Sequence, residues 1–188
     1  MIFRWLIELL WVVFLAYWLF SSIGVKRTRS HNGKSILIRL LIAAVFVIVA
    51  KTVTSSKGTV WETILASTPP PAIQAIGVIL AAVGVACAIW ARVHLGKNWG
   101  MPMSIKEDPE LVMSGPYAYV RHPIYTGVLL VVIGSACVFG LWWLLALILY
   151  APYFIYSART EEKIMRAKFP DQYPDYMKRT KMLIPFVF

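Results

Sequence analysis

Cysteine is nearly absent from this chain: there are two in 188 residues, Cys87 and Cys137, each inside an apolar run. That leaves no disulfide framework and no thiolate metal site, and it casts both residues as small packing groups. Acidic residues are scarce too, nine Asp and Glu against nineteen Lys and Arg, for a formal charge of +10. Long polar stretches are missing, so a second domain has no material; no internal repeat, low-complexity tract or soluble linker is present either. What remains is apolar, with 59% hydrophobic residues and a mean hydropathy of +0.67. Such a composition belongs to an integral membrane protein. The basic residues fall between the apolar runs, where orientation and contact with anionic headgroups explain them better than nucleic acid does. Eight Trp and nine Tyr suit a chain that crosses many membrane boundaries.

The apolar runs predict an all-α, polytopic membrane protein of about five transmembrane helices, forming a single membrane domain over residues 1–188. The first runs from Ile2 to Phe20, with Arg4 and Glu8 one helical turn apart and able to pair. A signal peptide is the competing reading, but the run is rich in Trp and lacks a small-x-small cleavage site. Ile36 to Ala50 is the second span, and Ala72 to Trp90, after three prolines, the third. Gly77, Ala81 and Gly84 in the third follow the spacing of close helix packing in lipid, and a cofactor groove along them is the weaker alternative. Ile124 to Tyr156 is too long for one span, which needs roughly 20 residues. Gly134 and Gly140 offer break points, so the reading is a tight hairpin of Ile124–Phe139 and Leu141–Tyr156 rather than one long tilted helix.

Basic residues set the orientation. Lys26, Arg27, Arg29, Lys34 and Arg39 place the loop at 26–35 in the cytoplasm by the positive-inside rule. The amino terminus, the loop at 51–71 and the hairpin tip then lie outside, while the loop at 92–123 and the basic tail from Ala158 lie inside. That tail is expected to be helical from Ala158 to Phe169 and to end at Pro170.

Between the third span and the hairpin lies Gly115–Gly127, GPYAYVRHPIYTG, where turn residues, three tyrosines, Arg121 and His122 crowd just before an apolar run. Gly115 and Pro116 mark a turn, and Pro123 suits the first turn of a helix. Arg121 and His122 then stand at a helix mouth that favours an anion. An interfacial anchor is the equal alternative. In the tail helix, Glu161, Met165 and Phe169 share one face at i, i+4, i+8, so Glu161 is expected to point inward and to need a partner such as Arg121, His122 or a cationic ligand. Glu162, within pairing distance of Arg159 and Arg166, reads as part of a solvated charge ladder. Tyr173 and Tyr176 read as headgroup anchors, or less commonly as an aromatic wall.

The RHPIYTG of residues 121–127, followed by Glu161-Glu162, Phe169, Tyr173 and Tyr176, resembles the signature of the isoprenylcysteine carboxyl methyltransferases and the related phospholipid methyltransferases. The resemblance covers roughly residues 90–186. Two positions depart from it: Met165 where the family has Leu, and Pro170 where it has Gly. It implies an integral membrane enzyme that uses S-adenosyl-L-methionine without a Rossmann domain, and indeed no G-x-G-x-x-G occurs here. By position, residues 90–188 would carry the cofactor region. Contacts would come from Pro109, Glu110, Leu111 and Val112, from Tyr117, from His122, Pro123, Ile124 and Tyr125, and from Glu161. Arg121 and Arg159 are candidate catalytic residues, and no metal ligand set is expected.

Physical roles fit these residue types. The helix mouth at His122–Tyr125 can hold the cofactor carboxylate, Glu161 its amine or a ribose hydroxyl, and the faces of Tyr117 and Tyr125 its adenine or sulfonium. The implied acceptor is lipophilic or a small hydrophobic molecule: a prenylcysteine carboxylate, a phospholipid amine or a thiol. A carboxylate or thiolate acceptor would need no strong base; an amine must be deprotonated, and His122 is then placed to take part. Two other readings stay open: an NADPH-dependent protein like the sterol reductases, and a non-catalytic scaffold in which Arg121 pairs with Glu161.

Overall fold

The computed structural model describes residues 1–23, 25–26, 28–30, 33–55, 68–100, 105–106 and 110–188. Five long helices carry it: α1 (Ile2–Ser21), α2 (Gly33–Ser55), α3 (Pro71–Leu95), α4 (Pro123–Phe139) and α5 (Leu144–Lys168), followed by a short α6 (Tyr173–Arg179). The helices α1, α3 and α5 are long and apolar enough to cross a membrane; α4 and the Leu40–Val49 part of α2 are shorter apolar stretches. Apart from them, one small antiparallel ribbon joins β1 (Thr28–Ser30) to β2 (Ile105–Lys106). Of the predicted external loop at 51–71, residues 51–55 belong to α2 and Pro71 to α3, and residues 56–67 lie outside the described residues.

Local chemistry sets the helix ends. Pro71 opens α3 and Pro123 opens α4, each at a position where the missing N–H has no intrahelical partner to lose. Gly140 ends α4 at φ 107°, a conformation that a side chain would strain, and a 3-10 turn at Leu141–Trp143 reverses the chain into α5. The hairpin read from the sequence is therefore present.

Its second arm differs from expectation. The predicted span to Tyr156 and the predicted tail helix from Ala158 are one continuous helix, α5. At 1.5 Å per residue its 25 residues reach about 37 Å, against about 25 Å for the 17 of α4. The last turns of α5 thus run on past the start of α4, which puts Ser157, Glu161 and Glu162 beside residues 121–125.

The glycines of the third span close the core. A Cβ on Gly84 would stand 2.6 Å from the Gly127 carbonyl oxygen and 2.9 Å from the Val131 nitrogen; one on Gly127 would meet the Gly84 oxygen at 2.6 Å. Gly77 and Gly134 form a second such crossing. The last residue of RHPIYTG is thus a packing residue, giving α3 and α4 backbone-to-backbone contact. Gly84→Ala is expected to lower stability by about 1–3 kcal/mol, because backbone rather than a flexible side chain must move. Ala82→Leu, on the exposed side of the same helix, should be near neutral. Thermal unfolding in detergent compares them.

Aromatic side chains fix α1 to this pair. Trp11 donates its indole N–H to Ser135 Oγ at 3.1 Å, and Phe14 stacks on Trp18 at 4.3 Å between centroids. At the opposite end, Arg92 is buried where α1 and α3 finish. It donates to the backbone oxygens of Gly96 and Ser21 and lies 4.7 Å over the Trp99 ring. A cation there suits two helix C-termini. The ribbon ties the α1–α2 connection to the α3–α4 connection, with Lys26 N–H donating to the Lys97 carbonyl at 3.0 Å and Lys26 pairing with Glu110 at 2.8 Å. Those two loops lie at one end of the bundle, as the charge pattern requires.

Candidate active site

Backbone pairing builds the site first. Residues 120–122 run parallel to 181–182: Arg121 N–H donates to the Lys181 carbonyl at 2.8 Å and His122 N–H to that of Met182 at 3.0 Å. The tail is thereby strapped to the start of α4, and Thr126 Oγ1 adds a bond to the Leu183 oxygen at 2.6 Å. Tyr176 donates its hydroxyl to the Tyr117 carbonyl at 2.7 Å. Both Tyr173 and Tyr176 are buried, so they form a wall of this region instead of anchoring in headgroups.

Arg121 makes its ion pair with Glu162, not Glu161. Nε lies 2.6 Å from Glu162 Oε1, and both side chains are buried, at 8% and 2% exposed. The rest of the guanidinium donates to the Thr180 and Met177 carbonyls, so one arginine joins α4, α5 and the tail. The solvated role expected for Glu162 is overturned. Its helix alone shows only flanking cations, whereas the partner that neutralises it arrives from 41 residues earlier. Of the predicted ladder only Arg166 remains near, at 4.0 Å and half exposed.

Glu161 keeps 27% of its side chain exposed. It accepts a bond from the Tyr125 hydroxyl at 2.7 Å, with Ser157 Oγ at 3.4 Å. His122 bridges the two glutamates: Nδ1 lies 3.5 Å from Glu161 Oε2, and Nε2 3.5 Å from Glu162 Oε1. Its ring stacks on Tyr125, centroids 5.5 Å apart and 5° from parallel, and Tyr125 stacks on Phe154 at 4.6 Å. The ring of Tyr125 is therefore engaged with protein, and its hydroxyl is what reaches the carboxylate. Tyr117 is buried as well.

The electrostatics follow. Burial pushes the His122 imidazolium toward neutrality, but the two carboxylates of Glu161 and Glu162, each 3.5 Å from a ring nitrogen, outweigh it and raise the pKa above its ordinary value. Burial also raises the phenols of Tyr117 and Tyr173, and pushes Tyr176 up to about 12. A raised folded-state pKa means that the His122 contribution to stability is complete below the unfolded value of 6.5 and fades as pH climbs through the folded one. Unfolding temperature in detergent is expected to fall across that window in the wild type, and His122→Asn should flatten that part of the profile.

Pro109 is outside the described residues. Glu110 is exposed and held by Lys26 and Asn98, which keep its carboxyl below the ordinary range. Leu111, Val112 and Ile124 are half-buried, Pro123 is buried, and Arg159 is exposed on α5. Among the described residues neither Glu110 nor Arg159 bonds to the Arg121–His122–Glu161–Glu162 cluster. The first helical N–H bond of α4 is from Thr126 to the His122 oxygen, so Ile124 and Tyr125 carry the first-turn N–H groups. Sequence reasoning missed Ser157 and Phe154; a serine set in an apolar arm one turn before Glu161 was the available signal.

Comparison with known proteins gives the family. Residues 72–172 match the family model described as phospholipid methyltransferase, more than half of the 188 residues and nearly all of α3 through α5. The chain is 31% identical over 102 residues to the protein-S-isoprenylcysteine O-methyltransferase of Schizosaccharomyces pombe, covering 52% of this chain and 43% of that protein. It is 30% identical over 112 residues to the cobalt-zinc-cadmium resistance protein CzcN of Cupriavidus metallidurans, covering 58% and 46%. The nickel-cobalt-cadmium resistance protein NccN of Alcaligenes xylosoxydans xylosoxydans is 29% identical over 112 residues, covering 58% and 47%. The matches span a little under half the length of these relatives. With the RHPIYTG and Glu-Glu segments brought together inside the matched region, the chain belongs to the phospholipid methyltransferase family.

Proposed function

We propose that this chain is an S-adenosylmethionine-dependent methyltransferase of the membrane, acting on a lipophilic acceptor. The observation that carries the reading is Glu161: a carboxylate still partly exposed, oriented by Tyr125 and Ser157, beside a helix mouth whose N-cap residue makes no side-chain capping bond. That donor set fits a zwitterionic amino-acid ligand, whose carboxylate takes N–H groups and whose amine takes a carboxylate. When bound, the cofactor supplies an electrophilic methyl group on a sulfonium.

In this reading Glu161 holds the amine, Ile124 and Tyr125 offer backbone N–H groups to the carboxylate, and Leu111 and Val112 with Tyr117 close the other side. His122 lies between Glu161 and Glu162, 3.5 Å from each, and can take a proton from an amine acceptor only after losing its own. Arg121 is committed to Glu162 and the tail carbonyls, so it braces the two walls. Arg159, exposed and outside the cluster, is the arginine left for an acceptor headgroup. Most of the catalytic effect then comes from alignment of an in-line displacement and exclusion of water. The site, the ribbon end and the tail face the cytoplasm, with the amino terminus outside, on the strength of the basic loops. A prenylcysteine carboxylate, a phospholipid amine and a thiol all suit the acceptor.

Titration of the purified chain in detergent with S-adenosylhomocysteine should give saturable binding by calorimetry. Binding of NADPH in its place, or of neither, overturns the proposal. A screen of the three acceptor classes with labelled methyl donor in membranes then identifies the acceptor.

A further inference from the structure

Residues 183–188 close a turn that the methyltransferase reading does not use. Leu183 N–H donates to the Phe188 carbonyl at 2.7 Å, and Val187 and Phe188 N–H both donate to that of Ile184 at 3.1 and 3.0 Å. The turn needs a residue in the left-handed region, and that residue is Phe186, at φ 65°, where glycine would be free of strain. Phe186 is 88% exposed and Val187 72%, with Ile184 at 52%. An aromatic ring and two aliphatic side chains held outward leave apolar area exposed, which water disfavours.

Position and charge name that environment. The bond from Thr126 Oγ1 to the Leu183 oxygen sets the turn level with the first turn of α4, where an apolar helix begins. Basic side chains precede it: Lys178, Arg179 and Lys181 are exposed. Lys178 pairs with Asp175, while Arg179 and Lys181 make no ion pair among the described residues. Exposed apolar groups beside uncompensated cations match the boundary of an anionic leaflet.

We propose that the 183–188 turn inserts its Ile184, Phe186 and Val187 side chains into the bilayer, with Arg179 and Lys181 bound to anionic lipid headgroups. The strap between 120–122 and 181–182 then carries the state of the leaflet directly to Arg121 and His122. The lipid environment on that face becomes a determinant of how the walls of the site are held.

The test places a spin label at Val187→Cys, in the full chain with Cys87→Ser and Cys137→Ser, reconstituted into phosphatidylcholine vesicles with or without phosphatidylglycerol. In anionic vesicles the label should be accessible to oxygen and shielded from a water-soluble nickel chelate. Neutralising each cation, Arg179→Gln and Lys181→Gln, should shift the inserted-to-withdrawn ratio toward water by about fivefold. Both side chains lie outside the site, so the fold is retained. A label equally open to the nickel chelate in both vesicle types overturns insertion. Equal immersion in neutral and anionic vesicles overturns the headgroup contact. The readout does not involve methyl transfer, so its failure is distinct from failure of the proposed activity.

Discussion

Glu162→Ala is expected to destabilise the protein by about 3–5 kcal/mol, the cost of leaving a buried cation without its partner. Arg121 would remain at 8% exposure with two backbone carbonyls and no carboxylate. Arg121→Ala should cost a similar amount by stranding Glu162, which is 2% exposed. The double replacement Arg121→Met with Glu162→Leu should be less damaging than either alanine alone, since neither member of the pair is left buried without the other. Arg121→Lys should recover only part of the loss, because an ammonium cannot reach Glu162 and the Thr180 oxygen with a rigid fork. Chemical unfolding in detergent, arranged as a double-mutant cycle, measures all of these. Near-additive single effects would mean that the pair does not hold the tail.

Glu161→Gln is expected to do the opposite: keep the fold and lose the ligand. The amide can still accept from the Tyr125 hydroxyl, which now lies 2.7 Å from Oε1, but it carries no charge for an amine. Loss of a charge-assisted bond of about 1.5–3 kcal/mol corresponds to roughly 10- to 100-fold weaker cofactor binding. Calorimetric titration reads the affinity, and the unfolding midpoint checks that stability is unchanged. If the Glu161→Gln variant binds S-adenosylhomocysteine as the wild type does, the assignment of Glu161 fails. Set beside the Glu162 replacements, this variant separates two adjacent carboxylates into a ligand-facing group and a brace.

Much of the architecture is legible without coordinates, and for a plain reason. A lipid-facing helix must satisfy its backbone internally and show apolar side chains, so spans read directly from hydropathy. That is why the helices over Ile2–Ser21 and Pro123–Phe139 appear near their predicted limits, while Gly33–Ser55 and Pro71–Leu95 each run five residues past the predicted end. The Gly140 reversal reads from one residue type with special backbone freedom. The close approach of Gly77 and Gly84 reads from small-residue spacing.

The sequence alone thus determined the apolar helices, the hairpin, the basic end and the presence of RHPIYTG and Glu-Glu in one chain. Each is a local property, fixed by a residue and its near neighbours. Only the tertiary structure decided which glutamate is buried, that α5 runs through the predicted break, and that Tyr173 and Tyr176 are walls. The glutamate and the tyrosine wall depend on partners distant in the chain: Arg121 across 41 residues for Glu162, and Tyr117 across 59 for Tyr176. A helical wheel ranks Glu162 as a surface charge because surface is the cheapest place for a charge with no known partner. Once α4 delivers Arg121 to that face, the balance reverses, and burial becomes the state in which both charges are satisfied.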